Sequence, residues 1–195
     1  MSDPVTYNFY GTTIPVLRNI AKSAISVLTT AQDEISAAKS AFPSEQEILD
    51  SSFGDMLPFR MQPILGAKFP VDALAKLSLN GSASAPAMDP TKFESLQSVI
   101  DFFKACVAVY DAVDEKAMND AALKSVDVPF EKMNKTLHMR SLSDYYHSFC
   151  VPNAYFHLNS IYMLLRSKGF KLSKGSYVGS FMSKQSQEDW APLRG

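Results

Sequence analysis

Four long stretches of the chain bring apolar residues back every three to four positions, the period of a helix with one buried face. The first runs from about 14 to 38, with Ile14, Leu17, Ile20, Ile25, Leu28 and Ile35 in phase. The second runs from about 58 to 79 and contains Pro63 and Pro70, so a bent or broken helix is expected there. The third follows the linker NGSASAPAMDP, where Asp89 suits a cap and Pro90 the first helical position. Phe93, Leu96, Ile100, Phe103, Val107 and Tyr110 mark its apolar face, up to about 113. The fourth covers about 142–168, opened by Ser141 and Asp144 at capping-box spacing and closed by Gly169.

Shorter signals fill the gaps. Ser44 and Glu47 have capping-box spacing for a brief helix. Val126, Val128 and Phe130 alternate ahead of Leu137 and Met139, which predicts a small β-hairpin before the last long helix. Residues 170–195 read as a polar tail that Trp190 would pin to the surface or to a partner chain. The whole is a single all-α domain, a bundle of four long helices with one β-like insertion.

Composition narrows the partners. A formal net charge of -1 and scattered Lys and Arg offer no field for a phosphate backbone, so nucleic acid is not an expected partner. The opening MSDPVTYNFYGTTIPV has neither the basic start nor the apolar core of a secretory signal. The most apolar run, Tyr145 to Leu165, contains His147, Pro152, Asn153, His157, Asn159 and Ser160, which suits a bundle core better than a bilayer. Cys106 and Cys150 lie in separate apolar segments and read as buried thiols in a reducing, cytoplasmic compartment.

That run holds the candidate chemistry. On a helix, Ser143, Tyr146, Cys150, Asn153, His157 and Ser160 form one polar stripe that turns apolar at Leu164. Tyr145, Phe149, Phe156 and Met163 form a neighbouring stripe with the look of packing material. No charged residue lies between Asp144 and Arg166, so burial on most sides is expected. A buried polar group without a partner costs about 1–3 kcal/mol, so the stripe implies a hydrogen-bond network, bound water or a ligand cavity. Pro152 removes one donor from the middle of the helix and predicts a kink there.

The segment DYYHSFCVPNAYFHLNSIYMLLRSKGFKLSKGSYVG resembles the C-terminal signature of a domain-of-unknown-function family in the DinB/YfiT-like superfamily. The resemblance is carried by Asp144–Tyr145, Pro152–Asn153, Tyr155, Phe156–His157, Tyr162, Leu165–Arg166, Gly169 and Gly179. Upstream, DMLPFRMQ is similar at Asp55, Met56, Pro58 and Gln62, and TIPVLRNI is similar to the first helix. The resemblance implies an up-and-down four-helix bundle, often dimeric, with a metal on three histidines. One of these comes from the second helix and two from the last helix, four residues apart. Asn153 and His157 occupy the paired positions here, and an amide is a poor zinc ligand. The other histidines, His138 and His147, lie outside the first two helices, and no spacing points to Asp55 or Asp72 as a substitute. The site therefore reads as having lost its metal.

Three functions follow, in order of preference. The first is a metal-independent, cofactor-free enzyme of the isomerase, cyclase or lyase type, acting on an apolar or aromatic metabolite in the bundle cavity. His157 would exchange the proton, and Asn153 and Tyr146 would orient it or hold a developing oxyanion. Tyr155, Gln62 and Arg60 border the kinked segments, and Cys150, Ser160 and Leu164 continue the lining, so these are the substrate-binding candidates. The second is a non-catalytic binding or carrier protein, with nine methionines and thirteen phenylalanines available to line an adaptable pocket. The third is a metal-dependent enzyme with an atypical ligand set. The expected partners are a small molecule and, through the resemblance, a second copy of the chain.

Overall fold

Residues 6–38, 41–130 and 133–193 are described by the computed structural model of the chain. Helix α1 spans Ile14–Ala37 and buries Leu17, Ala21, Ala24, Leu28 and Ala31 along one side. The alanines leave room for neighbouring helices to approach. The short α2, Glu45–Asp50, is capped as its spacing predicts: Ser44 Oγ accepts from the Glu47 N–H, and the Glu47 carboxylate accepts from the Ser44 N–H at 2.8 Å. Helix α3 spans Met61–Lys76, α4 Leu96–Asp111 and α5 Glu115–Asp120. Strands β1, Val126–Phe130, and β2, Lys135–Met139, pair antiparallel with Val128 opposite Leu137. The last long helix is α6, Leu142–Tyr145, a π-helical turn, Tyr146–Cys150, and α7, Val151–Ser167, in unbroken succession. Short helices α8, Lys174–Val178, and α9, Lys184–Asp189, follow.

Helix α1 packs on α4 and α7, and α3 packs on α7 and α4, which closes an up-and-down four-helix bundle. Strand β1 rests against α3. Among the described residues, no helix is long and apolar enough to cross a membrane.

Three local features differ from the sequence reading. Helix α3 is continuous. Pro63 falls in its first turn, where no intrahelical donor is needed, and only Pro70 sits in its interior. The third helix starts at Leu96, not at Pro90. Asp89 and Pro90 open a single 3-10 turn instead, and Ser95 and Ser98 then cap α4 reciprocally, at 3.2 Å each way.

Ahead of Pro152 the last helix widens into a π turn, in which the Val151 N–H reaches back five residues to the Tyr146 carbonyl. That wider turn accommodates a residue with no N–H, whose ring would otherwise crowd the carbonyl four residues earlier. The last helix is also not buried on most sides. Of the stripe read as packing material only Tyr145 is buried; Phe149, Phe156 and Met163 are 37%, 55% and 53% exposed.

The tail is pinned at its beginning. Phe170 and Leu172 are buried, Phe170 stacks on Phe42 with ring centroids 4.4 Å apart, and Ser23 Oγ donates to the Tyr177 carbonyl at 2.8 Å. Trp190 is half exposed. Phe170→Ala is therefore expected to cost about 3–5 kcal/mol. Trp190→Ala should stay within about 0.5 kcal/mol of the parent. Urea unfolding of the two variants checks both values.

Candidate functional site

The polar stripe of the last helix faces α3, and three of its side chains tie to it. Tyr146 donates its hydroxyl to the Pro70 carbonyl at 2.7 Å. Asn153 donates from Nδ2 to the Leu65 carbonyl at 2.8 Å. His157 Nδ1 lies 2.8 Å from Gln62 Oε1. Pro70 has no N–H for the carbonyl of Gly66, and the side chains of the last helix bond to carbonyls on either side of that break.

The Gln62–His157 pair fixes a proton. Gln62 Nε2 donates to the Leu57 carbonyl at 2.6 Å, so Oε1 is the end turned to the imidazole. An amide oxygen only accepts, so Nδ1 carries the hydrogen and Nε2 keeps a lone pair. No hydrogen bond to Nε2 is made within the described residues. Both residues are buried, Gln62 at 1% and His157 at 8% exposure. Burial pushes the imidazole down from its ordinary value to about 4, so the ring is neutral at physiological pH.

Gly66 sets the depth of the site. A Cβ built there would stand 3.1 Å from His157 Cβ, so α3 and α7 approach closely only because that side chain is missing. Beside this contact lies a crevice walled by small and apolar side chains, among them Ala21, Ala24, Ala67, Phe103 and Ala154. It encloses about 340 Å³ counted with its opening to solvent, but only about 20 Å³ admits the centre of a water molecule. That is room for one or two waters with the walls at rest. Tyr110 also lines it, and its hydroxyl has no hydrogen-bond partner within the described residues.

Of the candidates named from the sequence, His157 and Gln62 line this crevice. Tyr146 and Asn153 stand on the same seam but do not line it, since both are tied to α3 carbonyls. Arg60 turns away to Asp50, with Nη2 2.6 Å from Oδ1. Tyr155 stacks on Phe181 at 5.7 Å. Cys150 is buried, which pushes its thiol up to about 12, and it sits beside Tyr145. Ser160 Oγ donates to its own helix at the Phe156 carbonyl, and Leu164 is plain core. His147 bonds Thr12 and the Ser143 carbonyl, and His138 bonds Asp127 on the hairpin. Neither belongs to the site. Gly66 and Ala154 were not singled out from the sequence, and Tyr110 was read only as part of an apolar face. A lone glycine inside an apolar helix is the signal that could have found the first.

The donor set does not fit a divalent metal. At the two last-helix positions where the resemblance implies histidines stand Asn153 and His157, and the amide nitrogens of Gln62 and Asn153 are bound to backbone carbonyls. Among the described residues no three His, Cys, Asp or Glu side chains converge.

Comparisons with known proteins agree with the fold. A family model described as a domain of unknown function, DUF1993, matches residues 9–178. A crystal structure of a DinB family member protein from Shewanella denitrificans superposes with a TM-score of 0.66 at 18% identity, over 87% of this chain and 91% of that one. No curated protein matches.

The depressed His157 value has a stability consequence. Between its folded and unfolded values the unfolded chain binds more protons, so stability is full above the ordinary histidine range and falls as pH drops from about 6.5 to about 4. The slope is at most about 1.4 kcal/mol per pH unit. Asparagine carries an amide N–H close to where Nδ1 sits but has nothing in place of Nε2. His157→Asn should therefore keep the tie to Gln62 and lose this dependence. Urea unfolding of parent and variant across that range measures the difference, and equal slopes would contradict it.

Proposed function

The chain belongs to the DUF1993 family, and from that premise we propose that it binds a small, neutral, largely apolar molecule in the crevice that α1, α3, α4 and α7 wall together. The observation that carries this is His157 Nε2, an acceptor held in one tautomer and left without a partner beside an apolar void. No charged side chain lines the crevice, so an anion or cation entering it would lose hydration without compensation. A ligand that donates a hydrogen bond to Nε2 and accepts one from the Tyr110 hydroxyl, as an alcohol or phenol does, matches both free groups. Ligands beyond a few heavy atoms require the walls to move apart.

Proton-transfer catalysis of the isomerase, cyclase or lyase type is the second reading. It is supported by the Gln62–His157 pair, which orients an imidazole as an acid–base enzyme requires. The low value of about 4 weighs against it, since a good base at neutral pH titrates near that pH. The two cysteines, both free and buried, support the reducing, cytoplasmic compartment that goes with this reading.

Thermal shifts with a series of neutral alcohols from ethanol to phenol, and with benzoate as the charged comparison, test the proposal. Alcohols are expected to raise the melting temperature and benzoate to leave it unchanged. His157→Asn should fold and lose the response. No response from the parent, or an undiminished one from the variant, would overturn the binding role. If a substrate is found, a catalytic His157 is recognised by lost turnover with binding retained.

A further inference from the structure

Between the hairpin and the first turns of the last helix runs a groove that shares no lining residue with the crevice at His157. About 420 Å³ of it admits the centre of a water molecule, against about 20 Å³ in the crevice. That lies within the ~300–1,000 Å³ of ordinary small-molecule sites. The walls are fastened to the bundle. Phe69 of α3 packs on Phe130 with ring centroids 5.8 Å apart and on Phe149 at 4.9 Å. Lys76 donates from Nζ to the Asp127 carbonyl at 2.6 Å, and the Leu142 N–H donates to the Lys124 carbonyl at 2.8 Å. Phe130, Leu137 and Phe149 form the apolar side of the groove, with Tyr145 stacked on Phe149 at 5.9 Å.

Two opposite charges stand in this groove without partners. Ser141 Oγ accepts from the Asp144 N–H at 3.3 Å, but the return bond of a capping box, from the Ser141 N–H to the Asp144 carboxylate, is not made. Arg140, four residues earlier, lines the groove as well. Among the described residues the Asp144 carboxylate and the Arg140 guanidinium bond to no other group, and they do not pair with each other. His138 and Ser141, which also line the groove, are occupied. His138 Nδ1 lies 2.7 Å from Asp127 Oδ1, and Ser141 Oγ donates to the Ala122 carbonyl at 3.2 Å.

We infer that the groove binds a free α-amino acid with an aromatic or large aliphatic side chain. The ligand's carboxylate pairs with the Arg140 guanidinium, whose planar fork offers it two parallel hydrogen bonds. Its ammonium pairs with the Asp144 carboxylate. Its side chain covers Phe149 and Leu137, which are 37% and 44% exposed. The charges select the class. A carboxylate alone meets Asp144 as a like charge, and an amine alone meets Arg140. A neutral molecule shields both charges from water without pairing either, and a peptide brings only one of the two charges at each end. Because Arg140 and Asp144 are exposed, each pairing is worth about fivefold in affinity.

Titration of the nitrogen-15-labelled full chain with L-phenylalanine, followed by amide shifts, tests this. Saturable shifts over residues 137–149 are expected. Binding should be about fivefold tighter than that of 3-phenylpropionate, phenethylamine or glycine, which lack the ammonium, the carboxylate and the side chain in turn. Arg140→Gln should leave phenylalanine binding no better than phenethylamine, and Asp144→Asn should leave it no better than 3-phenylpropionate. Both side chains are exposed, and unchanged helical circular dichroism shows that the variants fold. No saturable shifts, or shifts confined to the residues around His157, would overturn the inference. So would a parent that binds any of the three analogues as tightly as phenylalanine, or variants that keep the parent's full discrimination.

Discussion

At Gly66 the backbone of α3 lies against the Cβ of His157, and a side chain there would come within 3.1 Å of it. Two helices that close cannot leave polar groups unpaired between them, because water has no room to serve as partner. The last helix answers with Tyr146 to the Pro70 carbonyl, Asn153 to the Leu65 carbonyl and His157 to Gln62. The seam is therefore first a structural fastening. Its functional content lies in what the fastening leaves over, which is one imidazole nitrogen beside a small void.

The two interior prolines belong to the same arrangement. Pro70 removes the donor to the Gly66 carbonyl, between the two α3 carbonyls that the last helix bonds, and Pro152 closely follows the π turn of the last helix. The amides of Gln62 and Asn153 bond to backbone carbonyls, so the polar layer is held by the chain's own hydrogen bonds.

Much of the fold was legible because it rests on period and caps. The apolar spacing of α1, the Ser44–Glu47 box and the closing Gly169, at φ +95, are local signals that tertiary contacts did not override. The start of the third helix was misread because Asp89 and Pro90 have the chemistry of a helix start but open only one 3-10 turn. The outward turn of Phe149, Phe156 and Met163 was missed for a different reason. Period identifies two faces of a charge-free helix, but only the position of the neighbouring helices decides which one is covered. In the site, the stripe placed Tyr146, Asn153 and His157 on one line, and periodicity alone could not reveal that Gln62 is the partner of the histidine. Arg60 and Tyr155 were chosen for their nearness in sequence, and each has a partner elsewhere, Asp50 and Phe181.

The central claim is that His157 is a neutral imidazole whose Nδ1–H is held by Gln62 and whose Nε2 is free. Long-range nitrogen–proton correlation NMR on uniformly nitrogen-15-labelled protein at neutral pH reports this directly. The account predicts a protonated, pyrrole-like Nδ1 and an unprotonated, pyridine-like Nε2 for His157. A hydrogen on Nε2, or two equivalent protonated nitrogens of an imidazolium at that pH, would contradict it.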